Sequence, residues 1–253
     1  MPDARANQVP VQPVLFFTHV PKCAGSSLRK SMIELSVDKN LIWRPGGIRP
    51  LVGSRRDFRY VVGHFPYGIH RLIHPRSEAR KRTRIYFTVI RDPIQQMISL
   101  YRYYVNYGMA EEMPGDVAGL ESFILGNAFD NMQSRAHAGL AWWHDKVPLR
   151  RWGRLAPGVL FSIARRSILK NYDFILTQCQ FGQQIEQLAN QLDLRYKCMN
   201  ETSTMTDSAE YIKTLSSDVT ERLERLATAD RMLFSWISVN VQRYGIRVSD
   251  WAR

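Results

Sequence analysis

A short apolar segment that runs directly into a proline- and glycine-containing turn constrains this chain more than any other feature. Residues 14–19 are apolar and aromatic, which predicts a buried β-strand. Pro21 and Gly25 follow and predict a tight turn after the strand. A helix is predicted next, from apolar residues at helical spacing: Leu28, Met32 and Leu35. The order of strand, tight loop and helix is typical of α/β proteins, which place such loops at the edge of a parallel sheet.

Further strand and helix signals alternate along the chain. Strands are predicted at 59–64, 84–90 and 172–177. Helices are predicted at 93–104, 185–192, 211–226 and 233–241. The segment 84–90 is a nearly continuous β-branched and aromatic run, as in a buried parallel strand. We therefore predict an α/β fold with a central parallel sheet flanked by helices, as one domain over residues 14–253 after a flexible segment, 1–13.

The loop after the first predicted strand has residue types that bind phosphate. Between a strand and a helix N-terminus, backbone N–H groups and the helix dipole point at an anion. Gly25 permits a close backbone approach, and Lys22 adds a positive charge. Ser26 and Ser27 add hydroxyl donors, whereas the Walker A pattern GxxxxGK[ST] is absent. The loop predicts a phosphate site, and an ordinary strand-to-helix turn with a capping serine is the alternative.

A second motif follows the strand at 84–90. Arg91 stands at the carboxyl end of that strand, where open α/β sheets place their ligands. Ser99 comes about two turns into the next predicted helix, so both side chains can reach one phosphate if the helix packs beside it. The alternative is that Arg91 pairs with Asp92 or caps the sheet, and that Ser99 faces solvent.

Together, the two motifs resemble the phosphosulfate-binding segments of sulfotransferases that use 3′-phosphoadenosine 5′-phosphosulfate, PAPS. The 5′-phosphosulfate loop of that family resembles Pro21-Lys22-x-x-Gly25-x-Ser27-Leu28. Its 3′-phosphate segment resembles Arg91-Asp92-Pro93 followed by Ser99-x-Tyr101. The resemblance covers residues 14–140. Within the family, the segments 62–68 and 130–135 are similar to the glycan group that includes heparan sulfate 2-O- and 6-O-sulfotransferases and bacterial relatives. Gln96 departs from the pattern, because that position often carries arginine.

The resemblance implies a PAPS-dependent O-sulfotransferase with a P-loop-like phosphosulfate-binding loop after the first strand. It implies these residues for binding the nucleotide: Lys22, Cys23, Ala24, Gly25, Ser26, Ser27, Leu28, Arg91 and Ser99. Sulfuryl transfer by in-line displacement would use His64 as general base and Lys22 to stabilise the leaving oxygen. PAPS would be the co-substrate and the desulfated nucleotide PAP the product, with no metal.

Three of the six histidines, His64, His70 and His74, are candidates for the general base. A histidine suits the role of base because its reference pKa is about 6.5. The alternative is that His64 only hydrogen-bonds the backbone and positions its loop. His70 and His74 are the fallback bases and candidates to line an acceptor groove, whereas His19 is expected to be buried on the first strand. Gln133 and Arg135 are expected either to face the acceptor or to make structural contacts.

The charge distribution indicates an anionic partner. The formal net charge is +12, and basic residues concentrate in 44–84 and 146–170. With the resemblance, this favours an acidic glycan or polysaccharide as the hydroxyl acceptor, although a solvated basic face is the plainer interpretation. No nucleic-acid-binding motif is recognisable, so we expect no nucleic-acid partner.

Two other functions and two locations stay open on the sequence. One is a non-catalytic sulfotransferase relative that binds polyanions or glycans; the other is a phosphotransferase with a degenerate P-loop, disfavoured because Lys22 precedes Gly25.

No apolar run reaches the roughly 18 residues of a membrane span, and residues 1–13 lack a signal-peptide core. The three cysteines fit a reducing compartment. We expect a cytoplasmic protein of bacterial type, or a Golgi-lumen domain if an anchor has been removed.

Overall fold

A computed structural model of the chain describes a sheet and the helices around it. The described residues are 13–25, 27–28, 42–43, 59–65, 67–70, 83–106, 119–120, 122–123, 130–139, 155–192, 211–213 and 215–252. The predicted flexible segment up to residue 12, the helical positions Met32 and Leu35, and the candidates Ser26 and His74 lie outside them.

Five parallel strands form one sheet in the order β2-β3-β1-β4-β5. Their bounds are β1 Val14–Thr18, β2 Ile42–Trp43, β3 Tyr60–Gly63, β4 Arg84–Ile90 and β5 Phe174–Thr177. Every residue of β1 is buried, because the strand lies in the middle of the sheet and its side chains are apolar except for Thr18. The predicted α/β fold with a central parallel sheet is confirmed.

Helices flank this sheet and share one hydrophobic core with it. Their bounds are α1 Pro93–Asn106, α2 Met132–His137, α3 Pro157–Asn171, α4 Phe181–Gln191, α5 Ser217–Leu226 and α6 Thr228–Tyr244. Helix α1 begins at a proline, and Asp92 caps it, since its Oδ1 accepts a hydrogen bond from the Gln95 N–H at 3.0 Å. None of the described helices is both long enough and apolar enough to cross a membrane.

Strand register brings the predicted motifs to one edge of the sheet. Thr18 of β1 is paired with Gly63 of β3 on one side and with Thr88 of β4 on the other. The residues that follow these three strands therefore emerge together at the carboxyl edge, where parallel α/β sheets bind ligands. The loop after β1, the turn after β3 and the segment between β4 and α1 form the candidate site.

Candidate functional site

A buried arginine lies at the centre of this edge. Arg91 directly follows β4, and only 3% of it is exposed. Its Nη1 donates a hydrogen bond to the Lys22 carbonyl at 3.2 Å, which joins the two predicted motifs. Within the described part of the chain, its Nε and Nη2 atoms are buried and have no hydrogen-bond partner. Burial lowers the pKa of Arg91, yet a guanidinium stays charged at neutral pH, so an anion is the ligand that would satisfy these donors.

The neighbouring carboxylate is engaged with other groups. Asp92 caps α1 through Oδ1, and its Oδ2 forms an ion pair with Arg231 at the start of α6. Arg231 also pairs with Glu224 of α5. The two oxygens of Asp92 therefore bind α1 and α6. The Arg91 guanidinium instead contacts the loop after β1, through the Lys22 carbonyl.

That loop has an unusual backbone conformation. Lys22 and Ala24 have φ angles of 64° and 58°, the left-handed region that costs a non-glycine residue roughly 1–2 kcal/mol. Hydrogen bonds hold the loop there: the Cys23 N–H donates to the Val20 carbonyl at 3.2 Å, and Gln96 Nε2 donates to the Pro21 carbonyl at 2.9 Å. Gln96, which departs from the family pattern, therefore fixes the loop to α1 through its side-chain amide.

The Lys22 side chain lies between this loop and α1. Its Nζ is 4.6 Å from the centre of the Tyr103 ring, a cation–π contact. Burial and the nearby positive charge of Arg91 lower the pKa of Lys22. Tyr103 lies one helical turn after Ser99, so the helix that carries the predicted phosphate-binding serine also positions the lysine.

Gly25 is required because a histidine ring occupies the space beside it. A Cβ atom at Gly25 would lie 1.7 Å from Nε2 of His19. The His19 ring is stacked on Phe17 at 5.5 Å and on His64 at 4.4 Å between ring centres. His19 was expected on the first strand, but β1 ends at Thr18 and His19 is half-buried in the loop.

The predicted base, His64, has a defined tautomer. Its Nδ1 lies 2.8 Å from the His19 carbonyl, and a carbonyl only accepts, so Nδ1 carries the proton. Nε2 of the neutral ring is then a proton acceptor. The residue is exposed to solvent on one side, but packing of its ring against neighbours lowers the pKa of His64. The proton-accepting Nε2 and the lowered pKa both suit a general base at neutral pH.

The remaining predicted binding residues differ in what they offer a ligand. Burial raises the pKa of the Cys23 thiol, and the Leu28 side chain packs in the core. The backbone N–H groups of both residues donate within the loop, to Val20 and Ala24. Side chains of Ala24 and Ser27 are half-buried, and Ser99 is 6% exposed.

Two expectations about the acceptor side change with the structure. His70 is 4% exposed and its Nδ1 lies 2.7 Å from the Tyr86 hydroxyl, so the expectation that it lines a groove is wrong. Arg135 forms an ion pair with Asp130 at 2.6 Å, and Gln133 is 2% exposed. The structural alternative therefore holds for Gln133 and Arg135.

Asp230 is a residue of the site that sequence reasoning missed, and the contacts of Gln133 with Arg91 were not foreseen. Gln133 makes hydrogen bonds to both the N–H and the carbonyl of Arg91. Asp230 is 1% exposed and accepts hydrogen bonds from the N–H groups at the start of α2. Asp230 lies between the predicted helices 211–226 and 233–241, and no local pattern there indicates a contact with α2.

The chain matches no protein-family model and no curated protein.

Proposed function

We propose that the protein transfers a sulfuryl group from PAPS to a hydroxyl of an acceptor, with a carbohydrate as the acceptor class. The observation that carries the proposal is the Arg91 guanidinium, buried at the carboxyl edge of the sheet with two N–H-bearing nitrogens unsatisfied among the described residues. A buried cation is costly unless an anion pairs with it. The 3′-phosphate of the donor nucleotide is such an anion.

In this proposal, the nucleotide is bound by two segments. Arg91 and Ser99 would bind the 3′-phosphate, and the loop with Lys22, Gly25 and Ser27 would bind the 5′-phosphosulfate. The hydrogen bond from Arg91 to the Lys22 carbonyl supports a single ligand spanning both segments, because it brings them into contact. Cys23, Ala24 and Leu28 would act through the loop conformation and the start of the following helix.

The chemical step needs a base and a stabilised leaving group. The acceptor oxygen forms a bond to sulfur, the bond between sulfur and the 5′-phosphate oxygen breaks, and the acceptor proton passes to Nε2 of His64. Charge develops on the departing phosphate oxygen, where a lysine ammonium stabilises the transition state more than the ground state. Lys22 can supply that charge once its ammonium leaves the Tyr103 ring, a contact worth about 0.5–1 kcal/mol at exposed sites.

An acidic glycan fits the charge of the molecule best among carbohydrate acceptors. The chain has a formal net charge of +12, and Arg165, Arg166 and Lys170 are exposed on α3. Positive surface charge of this kind raises the local concentration and the association rate of polyanions.

Calorimetry with adenosine 3′,5′-bisphosphate and adenosine 5′-monophosphate tests the nucleotide site. The bisphosphate should bind more tightly, and Arg91→Ala should weaken it by about 1.5–3 kcal/mol, the range for hydrogen bonds to charged groups. Arg243→Ala, which removes an exposed arginine near the end of α6, is the matched control and should leave both affinities unchanged. Equal affinity of the wild type for the two nucleotides would contradict the 3′-phosphate site.

A further inference from the structure

One side-chain amide holds the main chain of Arg91 on both sides. Oε1 of Gln133 accepts a hydrogen bond from the Arg91 N–H at 3.0 Å, and Nε2 of Gln133 donates to the Arg91 carbonyl at 2.8 Å. The Cys23 thiol also lies 3.8 Å from Oε1. Gln133 therefore contacts both phosphate-binding segments, although it lies outside each of them in the chain.

Gln133 is itself held in place from the C-terminal part of the chain. The Asp230 carboxylate accepts hydrogen bonds from the Gln133 N–H at 3.0 Å and the Ser134 N–H at 2.6 Å. In return, Oδ1 of Asn131 accepts from the N–H groups of Ala229 and Asp230, at 2.7 and 3.2 Å. Each of the helices α2 and α6 thus has its N-terminus capped by a residue from the start of the other. The position of Arg91 is thereby linked to α6.

We propose that Gln133 is the positioning residue that makes Arg91 selective for a 3′-phosphate. The inference rests on the proposed function, because it assumes that the nucleotide's 3′-phosphate is the anion that Arg91 binds. An amide suits this position, since its oxygen accepts from the Arg91 N–H while its NH₂ group donates to the Arg91 carbonyl. Because the main chain of Arg91 is already fixed, less conformational entropy is lost when the guanidinium binds the phosphate, and the affinity is higher.

The substitution Gln133→Met tests the positioning role, because methionine preserves the length and approximate volume of glutamine without the amide. Gln133→Met should lower affinity for adenosine 3′,5′-bisphosphate about tenfold and leave affinity for adenosine 5′-monophosphate nearly unchanged. Gln184→Met is the matched control: Gln184 is also buried, and its Oε1 accepts from the Thr177 N–H at 2.6 Å. It should destabilise the fold without changing the ratio of the two affinities.

A double variant separates positioning from a general structural role. If Gln133 acts through Arg91, Gln133→Met should weaken bisphosphate binding no further in an Arg91→Ala background. Amide hydrogen exchange at Arg91 should also become faster in Gln133→Met and not in Gln184→Met. If Gln133→Met does not fold, Gln133→Asn, whose amide is one methylene shorter, should show the same loss of selectivity.

The outcomes distinguish this inference from the proposed function. A wild type that binds both nucleotides equally overturns the 3′-phosphate site and the inference with it. A wild type that prefers the bisphosphate, with the same preference in a folded Gln133→Met or Gln133→Asn variant, overturns only the positioning role of Gln133. A reduced preference in both the Gln133 and Gln184 variants also overturns it, because the effect is then not specific to Arg91.

Discussion

Replacing Gly25 by alanine tests the packing at the centre of the site. The added Cβ would lie 1.7 Å from Nε2 of His19 and 2.1 and 2.2 Å from two ring carbons. These separations are far inside van der Waals contact, so the ring must move. It cannot rotate away cheaply, because it is stacked between Phe17 and His64.

The expected cost follows from the contacts that would be lost. Each aromatic stack contributes about 0.5–1.5 kcal/mol beyond buried area, so losing both costs about 1–3 kcal/mol. Overpacking penalties in well-packed sites have the same range, about 1–3 kcal/mol. Displacing His19 also disturbs His64, whose Nδ1 is bound to the His19 carbonyl. We therefore expect Gly25→Ala to lower both stability and transfer activity.

Urea unfolding measures the loss of stability, and the chain offers a matched control. A Cβ at Gly158, in the first turn of α3, would meet no atom within 4 Å. Gly158→Ala should therefore be neutral or stabilise the protein by up to about 1 kcal/mol, since alanine loses less backbone entropy in a helix. A Gly25→Ala protein that is as stable as Gly158→Ala, with unchanged bisphosphate affinity, would refute the packing described here.

Three further substitutions give distinct expected results. Lys22→Ala should lower turnover more than PAPS affinity, because its partner charge develops as the bond breaks; a rise in the Michaelis constant alone would contradict this. His64→Ala should lower turnover by about 10²–10⁴ with little change in nucleotide affinity. The wild-type rate should rise with pH through the lowered pKa of His64 and then level off, because only the neutral ring accepts a proton. Burial raises the pKa of Asp230 to about 6, so stability should fall as pH rises from about 4 to 6, by about 3 kcal/mol in total. Asp230→Asn should remove this component from unfolding free energies measured across that range, and an unchanged slope would contradict it.

The sheet was predictable from local patterns because its strands are nearly continuous apolar runs. The structure has β4 at the predicted residues, 84–90, and β5 begins two residues later than predicted. The short strand β2, Ile42–Trp43, was not predicted, since two residues carry no detectable period. Helix α1 extends two residues beyond the predicted end.

The site was predictable only in part, because its contacts connect residues that are distant in the chain. Arg91 and Lys22 were recognisable from motifs, and each lies in a loop that immediately follows a strand. The hydrogen bonds from Gln133 to Arg91 and from Asp230 to α2 join residues 42 and 97 positions apart. No local pattern encodes such a pairing; it arises only when parallel strands and helix N-termini meet at the same edge of the sheet.

Transfer of labelled sulfate from PAPS to a panel of acidic and neutral glycans tests the central claim most directly. The wild type should label at least one glycan and release PAP in equal amount. His64→Ala should bind the nucleotide normally and transfer about 10²–10⁴-fold more slowly. A wild type that binds PAPS and glycan but transfers no label to any hydroxyl acceptor would contradict the claim and identify the protein as a non-catalytic binder.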